Sequence, residues 1–354
     1  MKKTNISFLF SIFASMITTI SKNRVLWIDM AKGYGILFVI IGHLGIPYIT
    51  EFIYAFHMPL FFFLSGIVFS VKNSFTTFLK AKVQHIIVPY FCLGVPVILA
   101  KLYYQAKLDV YGIASGMKQL LIQERYTTLW FVSCLLILNY LMYLLVKFIR
   151  NLWLKDAIVV SFCLCGILLW RSGITVLPWN IDIAFIVFPF FYMGYRFKRS
   201  LLNTSLTENG DGSLPRSTYM MLVVLLTGSV VWFVNAYNIE LTGERVDLYY
   251  DNLNYEVLTF FTAFLGILMM VFLSQCHVCR PILYIGENSL LFFAWHVDVV
   301  FPALWRLYWF LGITPSSCLG VITIKCLSVV LTLIIITVLN EMIRHTKMKF
   351  MLGK

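Results

Sequence analysis

Charge is scarce in this chain. Only 12% of its 354 residues are Asp, Glu, Lys or Arg, whereas 60% are hydrophobic. A globular protein of this length could bury a large core, but its surface would need more charge than this. The composition therefore excludes a soluble globular protein and predicts an integral membrane protein.

Several other features are missing as well. No connection is long enough to fold alone as a soluble domain, the longest being residues 105–128, 197–217 and 238–255. No basic helix or RNA-binding signature accompanies the net charge of +12, so nucleic acid is not an expected partner. The lone CxxC spacing at Cys276 and Cys279 has no second pair, so no metal is expected. Internal repeats, which are common in transporters, are not evident.

What the sequence does have is long hydrophobic runs, ten of which approach the ~20 residues that a helix needs to cross a bilayer. They cover residues 26–48, 52–71, 84–104, 129–146, 157–171, 179–196, 218–237, 256–275, 282–303 and 319–340. The sequence therefore predicts an all-α fold, a polytopic membrane helix bundle of about 10 transmembrane helices.

The two ends of the chain differ from this pattern. Residues 1–22 combine an N-terminal Met-Lys-Lys with an apolar run over residues 6–20, as a signal peptide does, but the run is rich in Ser and Thr and no A-x-A-type site follows. A cleaved leader, an interfacial helix and an eleventh span are the alternatives for it. Residues 23–345 form the predicted membrane domain, and residues 346–354 form a basic cytoplasmic tail.

The basic residues between the runs indicate the orientation. Most of the 28 Lys and Arg lie before the first span, in every second connection after it, or beyond the last span. The alternate connections hold few of them, and the loop at residues 238–256 is acidic. By the positive-inside rule, both termini are cytoplasmic.

The first span carries ionisable residues at membrane depth, where their cost makes them functional candidates. Asp29 and Lys32 are three residues apart and can pair, either as an interfacial ion pair or as an anion-binding feature at the inner mouth of a cavity. Helical geometry places Lys32 and His43 on one face, about 16 Å apart along the axis. His43 is the candidate catalytic residue, with a structural histidine as the alternative.

The second span contains a predicted break. Pro59 has no N–H and follows His57 by two residues, so it frees backbone carbonyls that could line a polar cavity near the outer end. His57 is either a contact on the substrate side or a structural histidine. Ser65 lies farther along the same span, in its inner half.

The third span begins with cationic groups on the cytoplasmic side. Lys82 and His85 lie at this helix start, where phosphate groups bind favourably. The ordinary excess of basic residues on the inner side explains Lys82 nearly as well.

Polar or aromatic residues also lie near the predicted outer ends of later spans. Trp130 most simply belongs to an aromatic belt at the membrane surface. Asp182 and Asp298 are explained by an interfacial position. His296 lies within its span and is either a contact on the substrate side or structural.

With these residues assembled, the chain resembles the acyltransferase-3 family of membrane O-acyltransferases, and most closely its fucose 4-O-acetylase-like branch. The likeness runs from about residue 24 to residue 343. Its strongest anchors are D-M-A-K-G at residues 29–33, G-H at residues 42–43 and F-H-M-P-L-F-F-F-L-S-G at residues 56–66.

Two family motifs align with the candidate residues, and in each motif this chain has a different residue where the family has Arg. The basic-x10-His signature corresponds to Lys32 and His43, although Arg often stands where this chain has Lys32. The R-x-x-R motif before a proline aligns with Lys82 and His85, neither of which is Arg. A lysine cannot make the bidentate phosphate contact of an arginine, so these departures bear on coenzyme binding.

The resemblance implies an O-acetyltransferase in the cell inner membrane that moves an acetyl group from cytoplasmic acetyl-CoA to a sugar hydroxyl. The acceptor is a cell-surface glycan, a glycolipid or another lipid-linked saccharide. Polyanionic coenzyme A suits the basic inner face. Expected coenzyme-binding residues are Arg24, Lys32, Lys82 and His85.

A sugar hydroxyl needs a positioned base, and imidazole, with a pKa of about 6.5, suits that role. His43 is the expected general base, acting with Asp29 and Lys32, and a transient acetyl-His is the alternative route. Candidates on the substrate side are His57, Ser65, Trp130 and His296. Ser65, His57 or a backbone N–H at the Pro59 break is the expected oxyanion donor.

Two other functions compete with this interpretation. A transporter or glycolipid flippase would use the intramembrane His and Asp residues as a permeation path. A non-catalytic membrane partner of a polysaccharide assembly complex would need none of them for chemistry.

Overall fold

The computed structural model of the chain describes residues 25–71, 74–123, 125–174, 176–203, 216–250 and 252–353. Within these ranges the protein is helical, apart from turns and one isolated β-bridge between Asp247 and Asn252. Eight helical segments in the described part are long and apolar enough to cross a membrane. The predicted all-α polytopic membrane bundle is confirmed.

We number the α-helices α1 to α15 in chain order. They are α1 Leu26–Gly42, α2 Ile49–Tyr54, α3 His57–Val68, α4 Phe75–Lys82, α5 Val88–Tyr104, α6 Val110–Ile122, α7 Trp130–Phe148, α8 Leu152–Arg171, α9 Ile181–Asn203, α10 Arg216–Thr242, α11 Glu256–Cys276, α12 Arg280–Glu287, α13 Ser289–Trp295, α14 Phe301–Phe310 and α15 Cys318–Arg344. Two π-helical turns, Val83–Ile87 and His296–Val300, interrupt this pattern, and 3-10 turns lie at Pro178–Asn180, Leu248–Tyr250 and Lys347–Leu352.

A helix lies at each of the ten predicted spans, and eight of those spans coincide with the segments that can cross a membrane. The other two are the first and the sixth. Helix α1 has 17 residues, slightly fewer than the ~20 that a bilayer needs. Helix α9 has 23 residues but carries Asp182 in its first turn and Arg196 and Lys198 farther along.

The first span ends earlier than predicted. Helix α1 stops at Gly42, whereas the hydrophobic run continues to residue 48. Gly45 adopts a φ of +61° and Tyr48 a φ of 63°, both in the left-handed region, and Pro47 between them cannot donate a helical hydrogen bond. His43 is therefore the residue that caps α1, at the point where the chain turns away from the helix axis.

The predicted break near His57 is present. Helix α2 ends at Tyr54, Phe56 has a non-helical φ of −144°, and α3 begins at His57. Pro59 lies in the first turn of α3, where a missing N–H costs little because those N–H groups have no partner in the helix. The break turns His57 into the first residue of a new helix.

Two helix crossings depend on the absence of a Cβ atom. Where α3 crosses α9, a Cβ on Gly66 would overlap the carbonyl of Phe191, and a Cβ on Gly194 would overlap the carbonyl of Phe63. Where α1 crosses α12, a Cβ on Gly286 would overlap the carbonyl of Asp29. Small residues let helix backbones approach this closely in membrane proteins. The crossings hold α1 and α3, which carry two of the candidate histidines, against the rest of the bundle.

The first prediction concerns the α3–α9 crossing. Gly66→Ala should destabilise the protein by about 1–3 kcal/mol, because the backbones must separate to admit the methyl group. Thermal unfolding of the detergent-solubilised protein measures this as a lower Tm. Gly228→Ala is the control, since its Cβ would meet only the flexible Met269 Sδ, at 3.2 Å. Equal Tm values for the two variants would contradict the account of the crossing.

Candidate active site

A cavity of about 230 Å³ lies where the end of α1, the α2–α3 break, the start of α7 and the π-turn His296–Val300 meet beneath the loop that follows α10. This volume accommodates a small organic group and not only a few water molecules. The polar and aromatic residues that line it are His43, Tyr54, His57, Lys101, Tyr126, Thr127, Thr128, Trp130, Arg245, Asp247, Tyr249, Tyr250, Phe293, His296 and Asp298.

Three histidines meet in this cavity. The His43 Nδ1 atom lies 3.2 Å from the Tyr54 hydroxyl oxygen, and the His43 and His296 ring centroids are 5.2 Å apart. The Tyr54 ring also contacts His57, with 4.8 Å between centroids. His43 is exposed to the cavity, whereas His57 and His296 are buried. The three imidazoles and the Tyr54 phenol form one cluster.

Backbone carbonyls fix the tautomers of two of these rings. The His57 Nδ1 atom lies 2.9 Å from the Ile53 carbonyl oxygen. The His296 Nδ1 atom lies 2.9 Å from the carbonyl oxygen of Phe292 and 3.0 Å from that of Phe293. Because a carbonyl only accepts hydrogen bonds, each Nδ1 carries the proton and each Nε2 keeps a lone pair. His296 also begins a π-helical turn, a feature frequent at functional sites.

The wall beside His296 carries a carboxylate. Asp298 Oδ2 accepts from the Thr128 N–H at 3.3 Å and lies 3.5 Å from the Thr128 hydroxyl. Lys101 donates to the Tyr126 carbonyl and lies over the Tyr126 ring, 3.9 Å from its centroid. Asp298 therefore lines the cavity, and the interfacial depth expected for it from the sequence stays a prediction.

The loop after α10 covers the cavity with charged groups. Arg245 Nη2 lies 3.0 Å from Asp247 Oδ2, and its guanidinium lies 4.3 Å from the centroid of the Tyr54 ring. Burial raises the pKa of the Asp247 carboxyl, and the Arg245 guanidinium opposes that rise. Because the Tyr54 hydroxyl contacts His43, the loop is connected to His43 through Tyr54.

A buried arginine fastens this loop. Arg125 pairs with Asp182, and both are buried, with 7% and 2% of their surfaces exposed. Arg125 Nη1 donates to the Tyr249 carbonyl at 3.3 Å, and the Tyr249 hydroxyl donates to the Arg125 carbonyl. Burial raises the pKa of Tyr249 to about 12, so this hydroxyl remains a donor at neutral pH. Asp182 is thus the ion partner of a buried arginine, and the interfacial depth expected for it from the sequence stays a prediction.

Four of the predicted site residues line the cavity: His43, His57, Trp130 and His296. Trp130 is only 6% exposed and therefore does not face the membrane surface as an aromatic belt would. Ser65 is not among the lining residues, and its hydroxyl donates to the Phe61 carbonyl one turn earlier at 2.7 Å.

The predicted residues at the inner ends of helices lie elsewhere. Lys32 Nζ and Asp29 Oδ1 are 3.3 Å apart, so the expected pair forms, on α1 but away from the cavity lining. Lys82 Nζ lies over the Phe78 ring, 5.2 Å from its centroid. The His85 Nδ1 atom lies 2.8 Å from the Gly353 carbonyl oxygen, so the C-terminal segment packs against it.

Arg24 and the segment 1–22 lie outside the described residues.

The sequence did not single out several residues that build the site. Tyr54, Thr128 and Tyr249 are ordinary-looking polar or aromatic positions that only the fold brings to the cavity. Arg245 and Asp247 appeared in the sequence only as charges of an outer loop. The available signal was Arg245, a basic residue in an otherwise acidic loop, because such a residue is expected to pair with a neighbouring carboxylate.

Comparison with known proteins assigns the family. Residues 25–341, nearly the whole chain, match a family model described as an acyltransferase domain. The chain belongs to the acyltransferase-3 family. No curated protein and no solved structure shows significant similarity to it. The match identifies the family and not a branch within it.

This acyltransferase is therefore a multi-pass membrane enzyme, and the cavity supplies groups that acyl transfer requires. Imidazole nitrogens with free lone pairs can accept a proton from a nucleophile. The Lys101 ammonium and the Arg245 guanidinium, which also line the cavity, can stabilise a developing negative charge. The cavity is the candidate active site.

The second prediction concerns the Arg125–Asp182 pair. Asp182→Asn should lower the free energy of unfolding by about 3–5 kcal/mol, because it removes the carboxylate that pairs with the buried Arg125 guanidinium. Thermal unfolding in detergent should show the loss, and hydrogen exchange should show faster opening of residues 245–250. Glu256→Gln breaks the exposed Arg171–Glu256 pair instead and should change little. Unchanged stability of the Asp182 variant would contradict the role given to the pair.

Proposed function

We propose that this acyltransferase is an O-acetyltransferase of the cell inner membrane that moves an acetyl group from cytoplasmic acetyl-CoA to a sugar hydroxyl of a cell-surface glycan or glycolipid. The observation that carries the proposal is the cavity in which His43, His57 and His296 meet carboxylates and aromatic rings. The resemblance to the fucose 4-O-acetylase-like branch supports the choice of acetyl group and sugar.

The lining of the cavity suits a saccharide acceptor. Sugars carry many hydroxyl groups, and the carboxylates of Asp247 and Asp298 can accept hydrogen bonds from them. Trp130 and Tyr250 offer rings with an apolar face and a polar edge, suited to a ligand that is itself partly apolar. A second cavity of about 400 Å³ shares Arg245 and Asp247 with the first, so a longer glycan has room to continue past the loop.

In the proposed reaction, His43 is the general base. The Tyr54 hydroxyl holds the Nδ1 side of the ring, which leaves Nε2 for the substrate. The acceptor oxygen attacks the thioester carbonyl as its proton passes to Nε2, and a C–O bond forms. The C–S bond then breaks, and the same nitrogen returns the proton to the leaving thiolate. A transient acetyl-His43 is the competing route.

The donor is proposed to enter from the inner side. Lys32, Lys82 and His85 lie on helices whose predicted cytoplasmic ends are basic, and the two lysine charges suit the phosphates of coenzyme A. Lys32 keeps 27% of its side chain exposed beside Asp29. The thioester arm would extend along α1 toward His43, over about 16 Å. Arg24, at the same predicted membrane surface, would add a further cation.

The third prediction tests the base. His43→Ala should insert and fold normally but lower acetyl transfer by about 10²- to 10⁴-fold, the range for loss of a general base. Purified protein in proteoliposomes, given acetyl-CoA and surface glycan, reports the reaction as released thiol and as acetylated glycan. His277→Ala is the matched control, because His277 is exposed and outside the cavity lining. Full activity of the His43 variant would remove it from the mechanism.

The fourth prediction tests the donor side. Lys82→Ala should raise the KM for acetyl-CoA several-fold with little change in kcat, because it removes a phosphate contact and no reacting group. Lys80→Ala, a neighbouring exposed lysine on α4, should change the KM less. A Lys82 variant with an unchanged KM, or with the same change as the Lys80 variant, would move the donor site elsewhere.

A further inference from the structure

One nitrogen in the cavity wall has no partner. His296 is 0% exposed, and its Nε2 atom has no hydrogen-bond partner among the described residues. Its Nδ1 proton is committed to the Phe292 and Phe293 carbonyls, so Nε2 can only accept. A buried acceptor without a donor is unfavourable, so a ligand or a bound water molecule is expected to supply the donor.

The surroundings of His296 point to a ligand as the missing donor. The neighbouring rings on its own side are Phe293 and Phe301, with centroids 6.4 and 5.9 Å away, and neither can donate a conventional hydrogen bond. The third aromatic neighbour is His43, whose ring centroid is 5.2 Å away and whose ring plane is inclined by 56°. Both histidines line the same cavity. A ligand that contacts His43 therefore lies beside the part of the cavity wall that His296 forms.

The thioester donor and the sugar acceptor differ in whether they can donate a hydrogen bond to His296 Nε2. A thioester has no hydrogen-bond donor, and its carbonyl oxygen would repel the Nε2 lone pair. A sugar hydroxyl on the carbon next to the one that carries the attacking hydroxyl has a proton to donate.

We propose that His43 and His296 together recognise two adjacent hydroxyls, so that the acceptor of this enzyme is a vicinal diol. The hydroxyl at His43 is acetylated, and its neighbour donates to His296 Nε2. This inference rests on the proposed function and adds the substrate feature that determines specificity. A site built to bind a hydroxyl rejects an analogue without it, because the buried acceptor is then left unpaired.

The test compares sugars with and without the second hydroxyl. Full-length protein in proteoliposomes receives acetyl-CoA and methyl glycosides of common hexoses, each beside its monodeoxy forms, and thiol release gives kcat/KM. For the best glycoside, removal of the hydroxyl adjacent to the acetylated one should lower kcat/KM by about 10- to 100-fold. Removal of a hydroxyl farther away should lower it much less.

Two substitutions then assign the preference to His296. In His296→Asn the shorter amide can still donate to the Phe292 and Phe293 carbonyls but places no acceptor at the Nε2 position. For this variant, kcat/KM should be the same for the glycoside with the adjacent hydroxyl and for the monodeoxy form without it. The reason is that no acceptor remains for that hydroxyl. In His296→Gln the amide oxygen can reach the Nε2 position, so much of the preference should return.

His57→Asn is the matched control, because His57 lines the same cavity and is anchored to a carbonyl in the same way. It should retain the preference for the diol whatever it does to the overall rate. A His296→Asn variant with the wild-type preference overturns the inference, as does one whose main effect is a raised KM for acetyl-CoA, which would place a pantetheine amide at Nε2.

Failure of folded wild-type protein to acetylate any sugar is a different outcome, since it overturns the proposed function itself. Acetylation of sugars by the wild-type protein without preference for an adjacent hydroxyl overturns only the diol inference.

Discussion

The buried ion pair between Arg125 and Asp182 is the interaction on which the arrangement of the site depends. Charges removed from water need partners, and here the pair joins the segment before α7 to the first turn of α9. Arg125 also exchanges hydrogen bonds with Tyr249. The loop held in this way places Arg245 over Tyr54, whose hydroxyl contacts His43. The orientation of the proposed base thus depends on a charge pair that is not part of the cavity lining.

The cavity combines groups with different tasks within a bundle that is otherwise apolar. Two of its histidines have their tautomers set by the carbonyl four residues earlier in the chain, so they need no carboxylate partner to present a free Nε2. The helix break before His57 and the π-turn at His296 supply the irregular backbone that such a site requires. Irregular backbone at membrane depth is tolerated where it lines a cavity.

Much of the fold and part of the site could be predicted from the sequence. Hydrophobic runs set the helix count because a bilayer imposes a length, and the rarity of charge in them singled out His43, His57 and His296. The end of α1 at Gly42 could not be read from hydropathy, since residues 43–48 are apolar but Gly45 and Pro47 turn the chain. The partner of Asp182 could not be predicted either, because Arg125 is distant in sequence and only the packed bundle brings the two together.

We propose that this membrane acyltransferase acetylates a cell-surface glycan at the three-histidine cavity. Mass spectrometry of surface glycan from gene-deleted cells and from the same cells complemented with the wild-type gene tests it most directly. The account predicts glycan that carries the mass increment of an acetyl group in the complemented cells and lacks it in the deleted cells. Identical glycan masses in the two strains, with the protein present in the complemented membrane, would contradict it.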